Sequence, residues 1–217
     1  MEEYTLKYAS KIICAYKFII SYLISRGVNK DKIEVVYHRI NVNRFKRESS
    51  IIASGGIETL KILCVGRIFE RKNPENIIRA IKNLKAKLTL IGNGAYLEKM
   101  IRLAKEIGVQ DKVNFIKSVP NIKIDRYYKD AHVFACVNDY GGVSKPIMEA
   151  MASSLPIVMK RPIWEKSPEL IEDLAIVTDG SVRGFTEAFR DLSGHPERIV
   201  RLGSLGFEKI KEVAGDI

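Results

Sequence analysis

The chain has 217 residues, 46% of them apolar, which is enough for one α/β domain, or one domain with an appendage, around a buried core. A formal net charge of +10, from 36 basic and 26 acidic side chains, favours anionic partners: nucleotides, phosphorylated substrates, nucleic acid or an anionic membrane surface. Cys14, Cys64 and Cys136 are odd in number, widely spaced and set among apolar residues, which argues against a disulfide framework or a zinc site and for a reducing compartment.

No basic n-region, apolar h-region and small-residue cleavage site opens the chain, so no secretory signal is expected. Lys11–Tyr16 reads as a short buried strand and Lys17–Ser25 as a helix stopped by Gly27. The apolar run Ile12–Ile24 is interrupted by Lys17 and is shorter than the ~20 residues of a membrane span, although loose association with a membrane surface stays open. Ile33–Tyr37 is another expected strand. Asn41 to Gly56 is polar, then charged, then glycine-bearing, the composition of a linker or exposed loop.

From Leu60 the pattern becomes regular. Lys61–Val65 is a strand, Gly66 to Asn73 a loop, and Pro74 suits the first turn of a helix reaching Leu84. Lys87–Ile91 is a strand, Gly92-Asn93-Gly94 a turn, and Tyr96–Ile107 a helix ended by Gly108. Lys112–Ile116 is a strand, and Pro120 to Asp130 holds a short helix with paired tyrosines. The strands His132–Val137 and Leu155–Met159 flank a helix over Lys145–Ser153. Ala175–Thr178 is a last short strand, followed by helices over Ser181–Leu192 and Pro196–Val213.

Strands alternating with helices imply βαβ units, an α/β class and a parallel sheet with right-handed crossovers. Ligands in such folds lie beyond the carboxyl ends of the strands. The loops after Val65, Ile91, Ile116 and Val137 leave those ends and are expected on one rim. In the first loop, Arg67 and Lys72 stand on either side of a turn before a helix start. Two cations beside free N–H groups suit a diphosphate, and a solvated charged loop is the alternative. Gly92-Asn93-Gly94 lacks the third glycine of a dinucleotide fingerprint, with Leu97 in its place, so a plain left-handed turn is expected there. The adjacent glycines Gly141 and Gly142 run into a helix start whose free N–H groups suit an anion. Glu149 in that helix can accept from ribose hydroxyls or simply be solvated. His132 reads as a core histidine and His195, before Pro196, as part of a cap. No Asp-x-Asp, Walker lysine loop, His-Glu-x-x-His or Cys-x-x-Cys occurs.

Gly-Arg with a following Lys-Asn-Pro, the Gly-x-Gly turn, Ile-x-x-Val-Pro and the glycine loop ending in Glu-Ala-Met-Ala together resemble family 4 glycosyltransferases of the GT-B fold. The resemblance runs from about Lys7 to about Val213 and matches the nucleotide-sugar-binding C-terminal half with its hinge. It implies a Rossmann-like parallel sheet flanked by helices. It divides the chain into an acceptor-domain remnant and hinge over 1–45, a linker over 46–59 and a donor domain over 60–217. It implies a retaining transferase whose donor is a nucleotide-diphosphate sugar, with Gly66, Arg67 and Lys72 holding the diphosphate and Arg67 and Lys72 supporting catalysis without a metal. Asn93 and Gly94 would face the donor, and Val119 belongs to a segment that resembles the base reader. Gly142, Val143, Ser144 and Lys145 would lie near the phosphates and Glu149 at the ribose. The family's sugar-contacting glutamate would fall at position 141, where Gly141 stands; Asp139 could substitute only with a shifted loop.

Two readings follow from the resemblance: the donor half of a transferase, inactive alone, or a non-catalytic nucleotide-sugar-binding subunit of a split enzyme. Implied partners are a nucleotide sugar and either a separate acceptor-domain chain or a second copy, met through apolar surface left exposed over Ile12–Ile24. The expected location is cytoplasmic, with the inner face of the membrane left open. A nucleic-acid-binding protein is the third class, and the aromatic–basic motifs of its known modules are missing.

Overall fold

Six apolar runs after residue 57 pair into one parallel sheet in the computed structural model, which describes residues 2–47, 57–139, 142–163 and 173–214. The strands are β3 (Leu60–Val65), β4 (Ala86–Ile91), β5 (Val113–Ile116), β6 (Val133–Cys136), β7 (Ile157–Lys160) and β8 (Ala175–Thr178). Their spatial order is β5-β4-β3-β6-β7-β8, all pairs parallel. The chain winds outward from β3 to β5, then returns to the centre and winds the other way from β6. Every residue of β6 is buried, as expected for a central strand covered on both faces.

Helices cover both faces. On one lie α4 (Glu75–Ala80), α5 (Leu97–Glu106) and α8 (Val182–Gly194), whose Ile77, Met100 and Phe189 join Leu60 and Leu88 in a core. On the other lie α6 (Asp125–Asp130) and α7 (Lys145–Ala152), with Tyr128, Ile147 and Met151 packed on Phe134. The last helix, α9 (Pro196–Ala214), contributes Ile199 to the first core and Ile210 to the second. Helix α4 stops at Ala80, short of Leu84, because the chain must turn into β4. Lys112 Nζ donates to the freed carbonyls of Lys82 at 2.8 Å and Leu84 at 2.9 Å. His195 caps α8, and Arg198 N donates to its carbonyl at 2.9 Å. His132 is half-buried at the strand edge, not in the core, and its Nδ1 accepts from Lys61 N at 3.2 Å.

The first residues form a separate two-stranded parallel sheet, β1 (Ile12–Cys14) with β2 (Ile33–Val35), joined through α2 (Ile19–Ser25). Leu23 is buried and Phe18 half-buried, whereas Ile13 is 66% exposed. A helix that the sequence did not announce, α1 (Glu2–Tyr8), precedes them and is tied by an ion pair between Glu3 and Arg26 at 2.8 Å. No helix among the described residues is long and apolar enough to cross a membrane.

The expected loop from Asn41 begins instead with a helix, α3 (Val42–Phe45). Its polar composition misleads because Val42 and Phe45, three apart on one face, are both buried in the α6–α7 core. Asn41 supplies the N-cap by accepting from Arg44 N at 3.0 Å. Residues 48–56 of the expected linker lie outside the described residues.

Candidate functional site

The strand order reverses between β3 and β6, so their carboxyl ends open onto a crevice. An open cleft of about 620 Å³ occupies it, lined by Gly66 and Arg67, the Gly92–Gly94 turn, Val119 and Asn121, and Lys145, Pro146 and Glu149. A recess of about 50 Å³ adjoins it, lined by Arg67, Lys72 and Ser144 among others. The rim loops expected from the sequence therefore meet, and Arg67, Lys72, Asn93, Gly94, Val119, Ser144, Lys145 and Glu149 are on the cleft or the recess. Gly142 and Val143 are not: both are buried, Val143 in the core and Gly142 under aromatic rings.

Arg67 is exposed, with its guanidinium 5.5 Å from the centre of the Phe69 ring. Lys72 is half-buried at the end of a 3-10 turn over Glu70–Lys72. Among the described residues neither forms an ion pair, so both charges remain for a ligand. The helix start beside them is less open than expected. Asn73 Oδ1 accepts from Glu75 N at 3.0 Å, and Glu75 itself adds negative charge to the first turn of α4. The start of α7 offers less than a row of free donors: Ile147 N and Met148 N both donate to the Ser144 carbonyl, at 2.9 and 3.1 Å, and Pro146 has no N–H, so the Lys145 N–H and the Ser144 hydroxyl, which caps no backbone N–H, are what remain for an anion.

The Gly-Asn-Gly turn is not the left-handed turn expected. Gly92 and Gly94 have φ of 159° and 149°. A Cβ on Gly92 would fall 1.9 Å from the Gly66 carbonyl oxygen, and one on Gly94 2.2 Å from that of Ile68. The glycines are there because two loops pass backbone against backbone. Ile68 N donates to Asn93 O at 2.9 Å and Tyr96 N to Ile68 O at 3.1 Å, which locks the first two walls together.

Asn138 donates through Nδ2 to the Gly142 carbonyl at 2.7 Å and so closes the glycine loop; Tyr140 and Gly141 lie outside the described residues. Asp139 is paired with Lys160 at 2.9 Å. A Cβ on Gly142 would lie 3.2 Å from the rings of both Tyr16 and Phe18, so the N-terminal segment roofs this loop.

Glu149 is not a solvated helix residue. It is 5% exposed at the edge of the cleft, and Tyr128 Oη donates to its Oε2 at 2.8 Å. Lys145 Nζ stands 4.0 Å from the other oxygen. Burial raises the pKa of the carboxyl, opposed by the Tyr128 hydrogen bond and by the charges of Lys145 and Arg44. Tyr128 itself is pushed well above the usual phenol range by burial and by the glutamate. Burial also raises the thiol of Cys64, half-buried on the recess wall, to about 12, which keeps it from acting as a thiolate at neutral pH. Sequence reasoning missed Tyr128 and Arg44; the paired tyrosines of α6 were visible, but which one turns inward was not.

Comparison with known proteins places this geometry in context. The glycosyl transferases group 1 family matches residues 49–204. A GDP-mannose-dependent alpha-(1-6)-phosphatidylinositol monomannoside mannosyltransferase of Mycolicibacterium smegmatis is 31% identical over 160 residues, covering 67% of this chain and 41% of that protein. The chain thus spans about two fifths of the length of the curated relatives it matches first. Among solved structures, Anabaena HepE in complex with UDP and glucose superposes with a TM-score of 0.80 at 15% identity, covering 96% of this chain and 60% of that one. The C-terminal domain of a glycosyl transferase group 1 family protein (LpcC) from Francisella tularensis superposes with a TM-score of 0.65 at 14% identity, covering 80% of this chain and 97% of that domain. At such identities the likeness is one of fold, the α/β fold of GT-B glycosyltransferases.

Proposed function

The chain belongs to the glycosyl transferases group 1 family, and on that premise we propose that it binds a nucleotide-diphosphate sugar and supplies the donor-binding half of a retaining family 4 transferase. The observation that carries the reading is one cleft at the β3–β6 reversal that Arg67 and Glu149 both line. Arg67, Lys72 and, at the start of α7, the Lys145 N–H with the Ser144 hydroxyl offset the charge that the diphosphate gains as the glycosidic bond breaks. Glu149 accepts from the ribose hydroxyls, and Val119 with its neighbours meets the base. The similarity to mannosyltransferases makes a hexose the first sugar to test.

On this reading the chain alone binds donor but transfers little, because orienting an acceptor and excluding water fall to residues that relatives carry in their remaining length. The test is calorimetric titration with GDP, UDP and their hexose conjugates, with a transfer assay on the same sample. Binding that Arg67→Ala weakens supports the reading. Absence of binding to every nucleotide would leave only a shared fold.

A further inference from the structure

Arg44 lies in α3, outside every motif that pointed to the cleft, yet it reaches the cleft wall. Its guanidinium donates to Asn121 Oδ1 at 2.8 Å and also to the Asn121 carbonyl oxygen, and it stands 3.5 Å from Asp125 Oδ1. It covers the ring of Phe45 at 4.9 Å. Phe45 in turn meets Tyr128 edge-on, with centroids 5.6 Å apart, behind the Tyr128–Glu149 pair. Helix α3 thus backs the cleft at two points, the Asn121 wall and the Glu149 wall.

The Asn121 wall needs such a brace. The turn over Asn121–Lys123 has local backbone bonds, from Lys123 N to Pro120 O at 2.8 Å and from Ile124 N to Asn121 O at 3.2 Å. The Gly92–Gly94 wall, by contrast, is bonded directly to the first loop. The chemistry of the contact also fixes the direction of the Asn121 amide. A guanidinium only donates, so the amide atom facing Arg44 is the oxygen. The NH2 group is left as a donor on a residue that lines the cleft.

We propose that Arg44 is a positioning residue that sets Asn121 as a hydrogen-bond donor at the nucleoside end of the cleft, and so selects bases that present a carbonyl there. Guanine and uracil offer an oxygen where adenine and cytosine offer an amino group. The proposal rests on the nucleotide-sugar reading above and adds the base class to it.

The experiment is titration of GDP, UDP, ADP and CDP into the wild-type chain, Arg44→Met, Arg44→Lys and Asn121→Asp. The wild type should bind GDP or UDP at least about tenfold more tightly than both ADP and CDP, the scale of one directed hydrogen bond to a base edge. Arg44→Met should shrink that preference to about threefold or less, with Arg44→Lys between the two because one donor is restored. Asn121→Asp keeps a partner for Arg44 but turns the donor into an acceptor, so the preference should shift toward ADP or CDP; this variant decides the matter if Arg44→Met does not fold. A wild type that prefers ADP or CDP, or variants that weaken all four nucleotides in equal proportion, would overturn the proposal and leave nucleotide binding intact. A wild type that binds none of the four brings down the nucleotide-sugar reading itself, and this inference with it.

Discussion

Tyr128 Oη donates to Glu149 Oε2 at 2.8 Å, joining a fully buried phenol to a carboxylate that is 5% exposed. The bond favours the ionised glutamate against the burial that raises its pKa. Tyr128→Phe should therefore destabilise the chain by about 1–3 kcal/mol at neutral pH, the cost of a lost bond to a buried charged group. A carboxyl whose folded pKa is raised contributes stability below its unfolded pKa and loses it as pH rises through the folded value. Removing the donor raises the folded pKa further, so the gap between variant and wild type should narrow on acidification as both protonate. Urea denaturation across pH measures it; a gap that does not change with pH would show that the hydroxyl does not act through Glu149.

Glu149→Gln keeps an acceptor for Tyr128 and removes the buried charge. The expected result is a trade: higher thermal stability at neutral pH, with the gain fading as pH falls through the folded pKa of the wild-type carboxyl, and weaker nucleoside diphosphate binding. The binding loss should be about 1.5–3 kcal/mol if the charged carboxylate accepts from ribose. Equal affinity in calorimetry would remove Glu149 from the ribose site.

Arg67→Ala and Lys72→Ala should separate binding from folding. Neither charge has an ion-pair partner among the described residues, so each variant should unfold within about 0.5 kcal/mol of wild type. Each should weaken a nucleoside diphosphate by about 1.5–3 kcal/mol and a nucleoside by much less, because the lost contact is with phosphate. Parallel titrations of uridine and UDP, or guanosine and GDP, check this. A proportionate loss of both would place the cations elsewhere than at the diphosphate.

Gly92→Ala tests the seam between the first two walls. A Cβ 1.9 Å from a backbone oxygen cannot be relieved by a side-chain rotation, so the loops must part. Destabilisation of about 2–4 kcal/mol is expected, in the range of overpacked or strained sites. Gly27→Ala is the control, since no atom stands within 4 Å of its added Cβ and only its backbone φ of 81° is penalised. A smaller loss at Gly92 than at Gly27 would mean that the seam opens freely.

Much of the sheet was legible because its strands are short apolar runs with longer amphipathic helices between them, and length with flanking glycines and prolines separates the two where period does not, as in the wholly buried β6. The site loops were legible for a related reason: glycines and cations cluster where strands end, and topology gathers those ends. What escaped depends on partners far away in the chain. Val42 and Phe45 look like stray apolar residues in a polar stretch until α6 and α7 receive them. The glycines of the Gly-Asn-Gly turn look like a left-handed turn because the Gly66 and Ile68 carbonyls that demand them lie in another loop. Asp139 looks free for a ligand until β7 brings Lys160 to it. Helix α1 carries too little periodic signal in its length to be read.

The placement of β3 has a consequence for how the chain acquires its shape during synthesis. Of the six-stranded sheet, β3, β4 and β5 emerge first and can pair among themselves, but β3 then presents its other edge, with unpaired N–H and C=O groups, until β6 arrives. The loop carrying Arg67 and Lys72 exists by that stage, while Ser144, Lys145 and Glu149 have yet to be made. On the nucleotide-sugar reading, a nucleotide would have half a site to hold at that stage and little power to favour the native pairing, since ligand stabilisation scales with affinity for the folded form. The central strand pair closes across a sequence gap of the kind that slows folding, and on the same reading a ligand would stabilise only the finished sheet.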